Sequence, residues 1–228
     1  DQDEFTIRSH NLAFKSHQEG KYKNEIFPVD GNTIENNIRP NQKLEKISKL
    51  KPSFIRNGTH TAANSTGLTD GASACIISSF EKSKELNIDP VGYIEDSVFV
   101  GTNPHEEMLL GPAYSIAKLL NQNNLSLKDI DVFEIHEAFA GQILANLNAL
   151  NSDYFCKNSL NSDKIGEIPM DKLNLWGGSL AIGHPLAASN IRNIMTSVNR
   201  LEKENKDIAL VAACADSGLA NAILIKKY

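Results

Sequence analysis

Asn174-Leu-Trp-Gly-Gly-Ser-Leu-Ala-Ile-Gly-His-Pro-Leu186 sets a histidine between a glycine and a proline at the end of a glycine-rich run. Such a segment is built to place one imidazole. Gly177, Gly178 and Gly183 permit backbone conformations and close approaches that a Cβ would obstruct, and Pro185 fixes its own φ and restricts His184 before it. Beyond Pro185, residues Ile191, Ile194, Met195, Val198 and Leu201 fall at helical spacing. His184 is therefore predicted at a helix entrance, where free N–H groups favour negative charge nearby. A catalytic histidine beside a thiolate or an oxyanion fits this setting. A glycine-rich turn that leads into a buried helix, with His184 capping it, fits as well.

Outward from this stretch, strands and helices alternate. On its C-terminal side, Ile208 to Ala213 reads as a strand ending in Cys214-Ala-Asp-Ser-Gly218, and a last strand, Ala220 to Ile225, follows within hairpin distance. On its N-terminal side, Asp131-Val-Phe-Glu-Ile135 is a strand running into His136-Glu-Ala-Phe-Ala140, after which Ile143, Leu144, Leu147 and Leu150 continue at helical spacing. The stretch from Asn151 to Leu173, with Cys156 inside it, reads as a polar excursion. Earlier elements are a strand over 93–100, a helix from about Pro112 to Leu120, and a helix over 81–86. Thr59 to Asp70 is a polar loop that feeds an apolar run, Ala72 to Ile77, predicted as a buried strand. An amphipathic helix over 1–19, a short strand at Ile26–Val29, an Asn-rich loop from Asp30 to Gln42 and a short helix at Leu44–Leu50 complete the chain. Asp89-Pro-Val-Gly92 marks a domain boundary. The alternation argues for a layered α/β fold.

Composition narrows the function classes. With 228 residues and 41% hydrophobic content, the chain is long enough to bury a substantial core. No window approaches the roughly 18 apolar residues of a membrane span, so no transmembrane segment is expected. A formal net charge of -5 and the lack of a Lys/Arg cluster argue against a nucleic-acid surface. The three cysteines, Cys75, Cys156 and Cys214, form no CxxC pair, which suggests neither a disulfide framework nor a metal cluster. The chain opens Asp1-Gln-Asp-Glu4, as expected of a processed chain or a piece of a longer one, so its start gives no address.

His136, His184 and Cys214 each follow a strand or a glycine-rich turn, where reactive groups are often presented. Singly, His136 reads as a satisfied histidine and Cys214 as an inert buried thiol; together they say more. His136-Glu-Ala-Phe-Ala140, Gly183-His-Pro185 and Cys214 with Gly218 resemble, in order and separation, the three active-site blocks in the C-terminal half of the thiolase family. The resemblance extends to Asp1-Gln-Asp-Glu-Phe5 with Arg8-Ser-His10, Leu50-Lys-Pro-Ser-Phe54, Ala63-Asn-Ser-Thr-Gly-Leu-Thr-Asp-Gly-Ala72 and Leu109-Leu-Gly-Pro112. His rather than Asn at 136, and the Gly141-Gln-Ile-Leu-Ala-Asn146 continuation, are similar to the trifunctional-enzyme β-subunit type of 3-ketoacyl-CoA thiolase.

This resemblance implies a thiolase fold, layered α/β/α/β/α, in which residues 1–90 finish an N-terminal domain with its loop insertion and 91–228 form the C-terminal domain. It implies an acetyl-CoA C-acyltransferase of fatty-acid β-oxidation that cleaves 3-ketoacyl-CoA with coenzyme A. Coenzyme A is then a substrate, and neither a cofactor nor a metal is expected. In the family a cysteine nucleophile takes the acyl group, the residue matching His184 activates it and the residue matching Cys214 shuttles a proton. The residue matching His136 helps line an oxyanion site, and Thr66 falls where a small hydroxyl faces the pantetheine arm. A homo-oligomer that pairs with a hydratase/dehydrogenase α-subunit is implied, mitochondrial in a eukaryote and cytoplasmic in a bacterium.

Departures from the family pattern keep other readings open. None of the three cysteines matches the nucleophile, which lies upstream in the family, so residues 1–228 alone are expected to be inactive. Asp216 and Ser217 stand where the family has Gly and Ala, and Ala187 and Asn190 replace glycines. An inward-facing Asp216 carboxylate would oppose an oxyanion and is the expected orientation, with a solvent-facing turn cap as the alternative. A degenerate acyl-CoA-binding or scaffold protein, and a condensing enzyme of the same superfamily, are the rival functions. Arg39, Lys49 and Lys51 are candidates for the coenzyme A phosphates.

Overall fold

The computed structural model describes residues 1–33 and 35–228. Helix α1 (Gln2–Gln18) is followed by two short helices, α2 (Leu44–Ile47) and α3 (Phe80–Glu85), and by strand β1 (Gly92–Gly101). Then come α4 (Gly111–Gln122), β2 (Val132–Ile135), α5 (Ala140–Leu150), α6 (Asp153–Ser159), α7 (Ser179–Ile182), α8 (Ala188–Lys203), β3 (Ile208–Ala215) and β4 (Leu219–Lys227). The strands form one sheet in the order β1-β4-β3-β2. β4 is antiparallel to both its neighbours, and β2 is parallel to β3. This follows from the connections: a tight turn at Asp216–Gly218 can only return the chain antiparallel, while α5 to α8 supply the long crossover that parallel strands need.

Both faces of the sheet are covered, which is why β3 reads as a continuous apolar run instead of an alternating one. Leu210, Ala212, Ala222 and Leu224 join α4 and α5 in one cluster with Ile116, Leu119, Phe133 and Ile143. Ala209, Val211, Ile223 and Ile225 join Val132 with Val198 and Leu201 of α8 in the other. The result is three layers, helix on sheet on helix, with the C-terminal ends of β2 and β3 side by side. α1 lies across α5 and α7.

Three expectations need correction. Ile26–Val29 is not a strand; it makes one isolated bridge, Val29 to Asn32, and Phe27 and Val29 are exposed. Ala72 to Ile77 is neither regular nor buried, with Ile76 94% exposed, because no strand among the described residues lies beside it to pair its amides. The 151–173 segment is not featureless: Ser152 accepts a hydrogen bond from the Phe155 N–H and starts α6, which buries Cys156 completely. α1 is where expected, but its buried face is largely polar (Thr6, Ser9, His10, Ser16).

On the α8 side of the sheet, Glu134 of β2 and Arg200 are both buried and meet at 2.7 Å. Arg200 also binds Glu204 and the carbonyls of Phe133 and Lys172, so its donors are used. Burial pushes the Glu134 carboxyl up, outweighing the guanidinium beside it. Removing one partner of such a pair leaves an uncompensated charge, at a cost of about 3–5 kcal/mol. Arg200→Met should therefore lower the urea midpoint strongly, and adding Glu134→Gln should recover much of the loss. A double variant no more stable than Arg200→Met would contradict this account.

Candidate functional site

The C-terminal end of β2 is fixed by a buried amide and a buried carboxylate. Asn174 Oδ1 accepts the Ile135 N–H and its Nδ2 donates to the Ile135 carbonyl, both at 2.8 Å, so the side chain replaces a strand neighbour. The same Nδ2 donates to Glu137 Oε1 at 2.7 Å. Glu137 Oε2 accepts from Ser9 Oγ of α1 at 2.7 Å and from the Leu180 N–H at 3.2 Å. Burial pushes the Glu137 carboxyl up while these donors pull the other way. A Cβ on Gly178 would lie 2.2 Å from the Glu137 carboxyl carbon, so only glycine lets the loop pass. Gly183 has φ 90° and packs on Thr69, a conformation L side chains rarely adopt.

These anchors bring two imidazoles together. His136 follows β2, and its N–H continues the ladder to the Ala212 carbonyl of β3 at 2.8 Å. His184 lies in the extended link between α7 and α8, with its N–H on the Gly67 carbonyl at 2.9 Å and a parallel bridge to Leu68. It precedes the first turn of α8 rather than capping it. The ring centroids are 4.2 Å apart at 42°. His136 Nδ1 is 2.9 Å from Ser179 Oγ, and His184 Nδ1 is 2.6 Å from Ser189 Oγ. The extended 65–68 segment clips the two segments to each other: Ser65 bridges Phe139, and the Thr66 N–H binds the Ala138 carbonyl. Thr66 Oγ1 donates to the Ser179 carbonyl at 2.6 Å.

Electrostatics keep both rings neutral. Burial, then the proximity of His184 and of Arg192, depresses His136 to about 3. Burial and Arg192 also hold His184 below the usual histidine range. A neutral imidazole can donate at one nitrogen and accept at the other, which suits one ring to hold an oxygen and the other to take a proton.

Cys214 is the penultimate residue of β3, opposite Ala220 and two residues past the carbonyl that holds His136. Burial pushes its thiol up to about 11. No hydrogen bond joins it to either imidazole among the described residues. The inward-facing Asp216 is overturned: the side chain is exposed and its Oδ1 accepts the Ser217 N–H at 2.8 Å, supporting a turn in which Ser217 adopts φ 65°. Such self-capping is the ordinary behaviour of Asp in a tight turn. Cys75 is exposed and Cys156 lies in α6. Arg39, Lys49 and Lys51 are exposed.

Ser179, Arg192, Glu137 and Asn174 were not singled out by the sequence reading. The usable signal was polar residues inside segments that must be buried: Glu137 after an apolar strand, Ser179 after two glycines, and Arg192 on the first turns of a helix packed on the sheet. A cavity of about 750 Å³ lies behind the 183–185 turn, lined by Tyr22, Ile182, Pro185, Arg192 and Met195. His136, His184 and Cys214 do not line it, so cavity size alone would have pointed away from the chemistry.

Comparison with known proteins gives consistent matches. A family profile described as "Thiolase, C-terminal domain" matches residues 88–227, and "Thiolase, N-terminal domain" matches residues 1–81. The chain is 51% identical, over all of its length, to 52% of a "Probable 3-ketoacyl-CoA thiolase" of Caenorhabditis elegans. It is 45% identical, again over its whole length, to 49% of the mitochondrial "Trifunctional enzyme subunit beta" of Mus musculus. The crystal structure of human mitochondrial 3-ketoacyl-CoA thiolase in complex with CoA superposes with a TM-score of 0.86 at 32% identity, covering all of this chain and 54% of that one. The chain thus spans about half the length of these relatives.

His136 generates an acid sensitivity. Its folded value near 3 lies below the unfolded value of about 6.5, so the stability held by the neutral ring is complete above pH 6.5 and is lost as pH falls toward 3. Each such group contributes at most about 1.4 kcal/mol per pH unit. His136→Asn should therefore lose stability less steeply than the unaltered protein between pH 6.5 and 4.5 in urea titrations. Equal slopes would show that His136 is not held neutral by the fold.

Proposed function

Since the chain belongs to the thiolase family, we propose that the protein is a 3-ketoacyl-CoA thiolase of fatty-acid β-oxidation. It cleaves the C2–C3 bond of a 3-ketoacyl-CoA with coenzyme A to give acetyl-CoA and a shortened acyl-CoA. The observation that carries this reading is the contact of two neutral imidazoles, 4.2 Å between ring centroids, beside the strand end that bears Cys214. The relatives' names support it. Residues 1–90 would then finish the N-terminal domain and 91–228 form the C-terminal one.

The roles follow from the environments. A cysteine upstream of these residues is the nucleophile; His184, neutral at pH 7, takes its proton, because a free thiol is only a few per cent thiolate there. The thiolate adds to the C3 carbonyl, the C2–C3 bond breaks, and the electron pair passes to the acetyl-CoA enolate. Cys214 protonates C2. A thiol raised to about 11 suits this step: it stays protonated until a strongly basic carbon forms, and its thiolate is then basic enough to take the proton of incoming coenzyme A. The coenzyme A thiolate attacks the acyl-cysteine, and the departing cysteine recovers its proton from His184. His136 donates to the thioester oxygen, directly or through a water, and a donor placed there contributes on the order of 3 kcal/mol to lowering the barrier. Thr66 lies beside the pantetheine arm. Coenzyme A enters as a substrate.

We place the protein in a homo-oligomer that associates with a hydratase/dehydrogenase subunit, in the mitochondrion of a eukaryotic host; the name of the murine relative, a mitochondrial β-subunit, supports the location and a partner subunit. No helix among the described residues is long and apolar enough to cross a membrane. The solvent-facing Asp216 removes the main reason to read the site as degraded.

Purified protein carrying the upstream cysteine should form acetyl-CoA from a 3-ketoacyl-CoA and coenzyme A, as followed by liquid chromatography. His184→Ala should lower kcat by roughly 10²- to 10⁴-fold and slow iodoacetamide alkylation of the nucleophile at pH 7. Residues 1–228 alone should give no turnover. Acetyl-CoA formation at an unchanged rate in His184→Ala, or turnover that depends on Cys75 or Cys156, would overturn the reading.

A further inference from the structure

Arg192 reaches both imidazole segments at once. Its Nη2 donates to Ser179 Oγ at 2.8 Å and its Nη1 to the Gly183 carbonyl at 2.9 Å. Ser179 is 1% exposed, and among the described residues its hydroxyl meets only Arg192 and His136 Nδ1. A guanidinium can only donate, and a hydroxyl has one proton. With Arg192 on the Ser179 oxygen, that proton has one acceptor left, His136 Nδ1. Were His136 protonated at Nδ1 instead, two donors would face the same oxygen and the hydroxyl proton would be buried without a partner. That arrangement is disfavoured on the order of tenfold or more.

We propose that Arg192 and Ser179 are positioning residues: they hold His136 as the tautomer protonated at Nε2, so that this N–H, and not a lone pair, is offered to the substrate's thioester oxygen. The second arm of Arg192, on the Gly183 carbonyl, fixes the turn that presents His184. The two rings thereby acquire different duties. Among the described residues no cation lies on the oxygen of Ser189, the partner of His184 Nδ1, so that hydrogen bond can run in either direction and His184 can expose a basic Nε2. Only the substrate-facing duty of His136 rests on the thiolase reading; the tautomer rests on the hydrogen bonds alone.

Neutron diffraction from deuterium-exchanged crystals of the whole protein at pH 7 tests the tautomer without any need for turnover. Deuterium is expected on His136 Nε2 and on Ser179 Oγ pointing at Nδ1; deuterium on His136 Nδ1 would overturn the proposal. Kinetics of the whole protein test the consequence. Ser179→Ala should lower kcat for thiolysis about tenfold with KM for coenzyme A within about twofold, as expected for an interaction made in the transition state, and Ser179→Thr should restore most of it. An unchanged kcat in Ser179→Ala would refute the positioning role. A protein with deuterium on Nε2 but no thiolysis would refute the functional reading alone and support the hydrogen-bond assignment.

Discussion

A single buried carboxylate holds this site in register. Glu137 receives donors from Ser9 of α1, far away in sequence, and from Asn174 and Leu180, which stand at either end of the glycine-rich loop leading into α7. Buried carboxyl oxygens need hydrogen-bond partners, so the Glu137 carboxyl group and its three donors hold one another in place. The geometry of the loop follows from it. Gly178 must lack a side chain because the carboxyl group occupies that space, and Asn174 must be an amide because it serves both the carboxylate and the free edge of β2. His136 precedes Glu137 and His184 follows the loop that Glu137 anchors, so the spacing of the two rings depends on this one interaction.

Once the rings are in contact, burial decides their chemistry. Two imidazolium ions could not share this space, and desolvation together with the Arg192 charge keeps both neutral. Arg192 is the only one of the three that keeps its charge, because a guanidinium remains protonated even when burial lowers its affinity for the proton. A fixed positive charge two hydrogen bonds behind a neutral histidine, through Ser179, creates an electropositive corner suited to a developing oxyanion. The same desolvation pushes Cys214 in the opposite direction, since for a thiol the neutral form is the protonated one.

Most of the second half of the chain was legible from residue order because its elements are closed within the chain. β3 and β4 pair with each other, α4 and α8 cover them, and the apolar periods report that packing directly. The first half was less legible for the same reason in reverse. Ala72 to Ile77 has the composition of a buried strand, yet nothing beside it among the described residues offers a ladder or a cover, so composition and structure disagree. His136, His184 and Thr66 could be picked out by motif; the two rings are in contact, and Thr66 bonds the backbone of Ser179, whose hydroxyl meets His136. The polar residues behind them could not, because a buried serine or arginine differs from an exposed one only through its tertiary partners. Asp216 shows the converse error: a charge in an unusual position suggested a damaged site, but its local turn satisfies it without touching the chemistry.

The central claim is that the thioester oxygen of the substrate is held by the Nε2–H of His136, directly or through one water, while sulfur chemistry takes place beside His184. A crystal structure of the whole protein with an acyl-CoA bound tests it most directly. The account predicts the thioester oxygen within hydrogen-bond distance of His136 Nε2 or of a water bound to it, with the pantetheine arm passing Thr66. A thioester seated away from both imidazoles, for instance in the cavity behind Pro185 and Ile182, would contradict it.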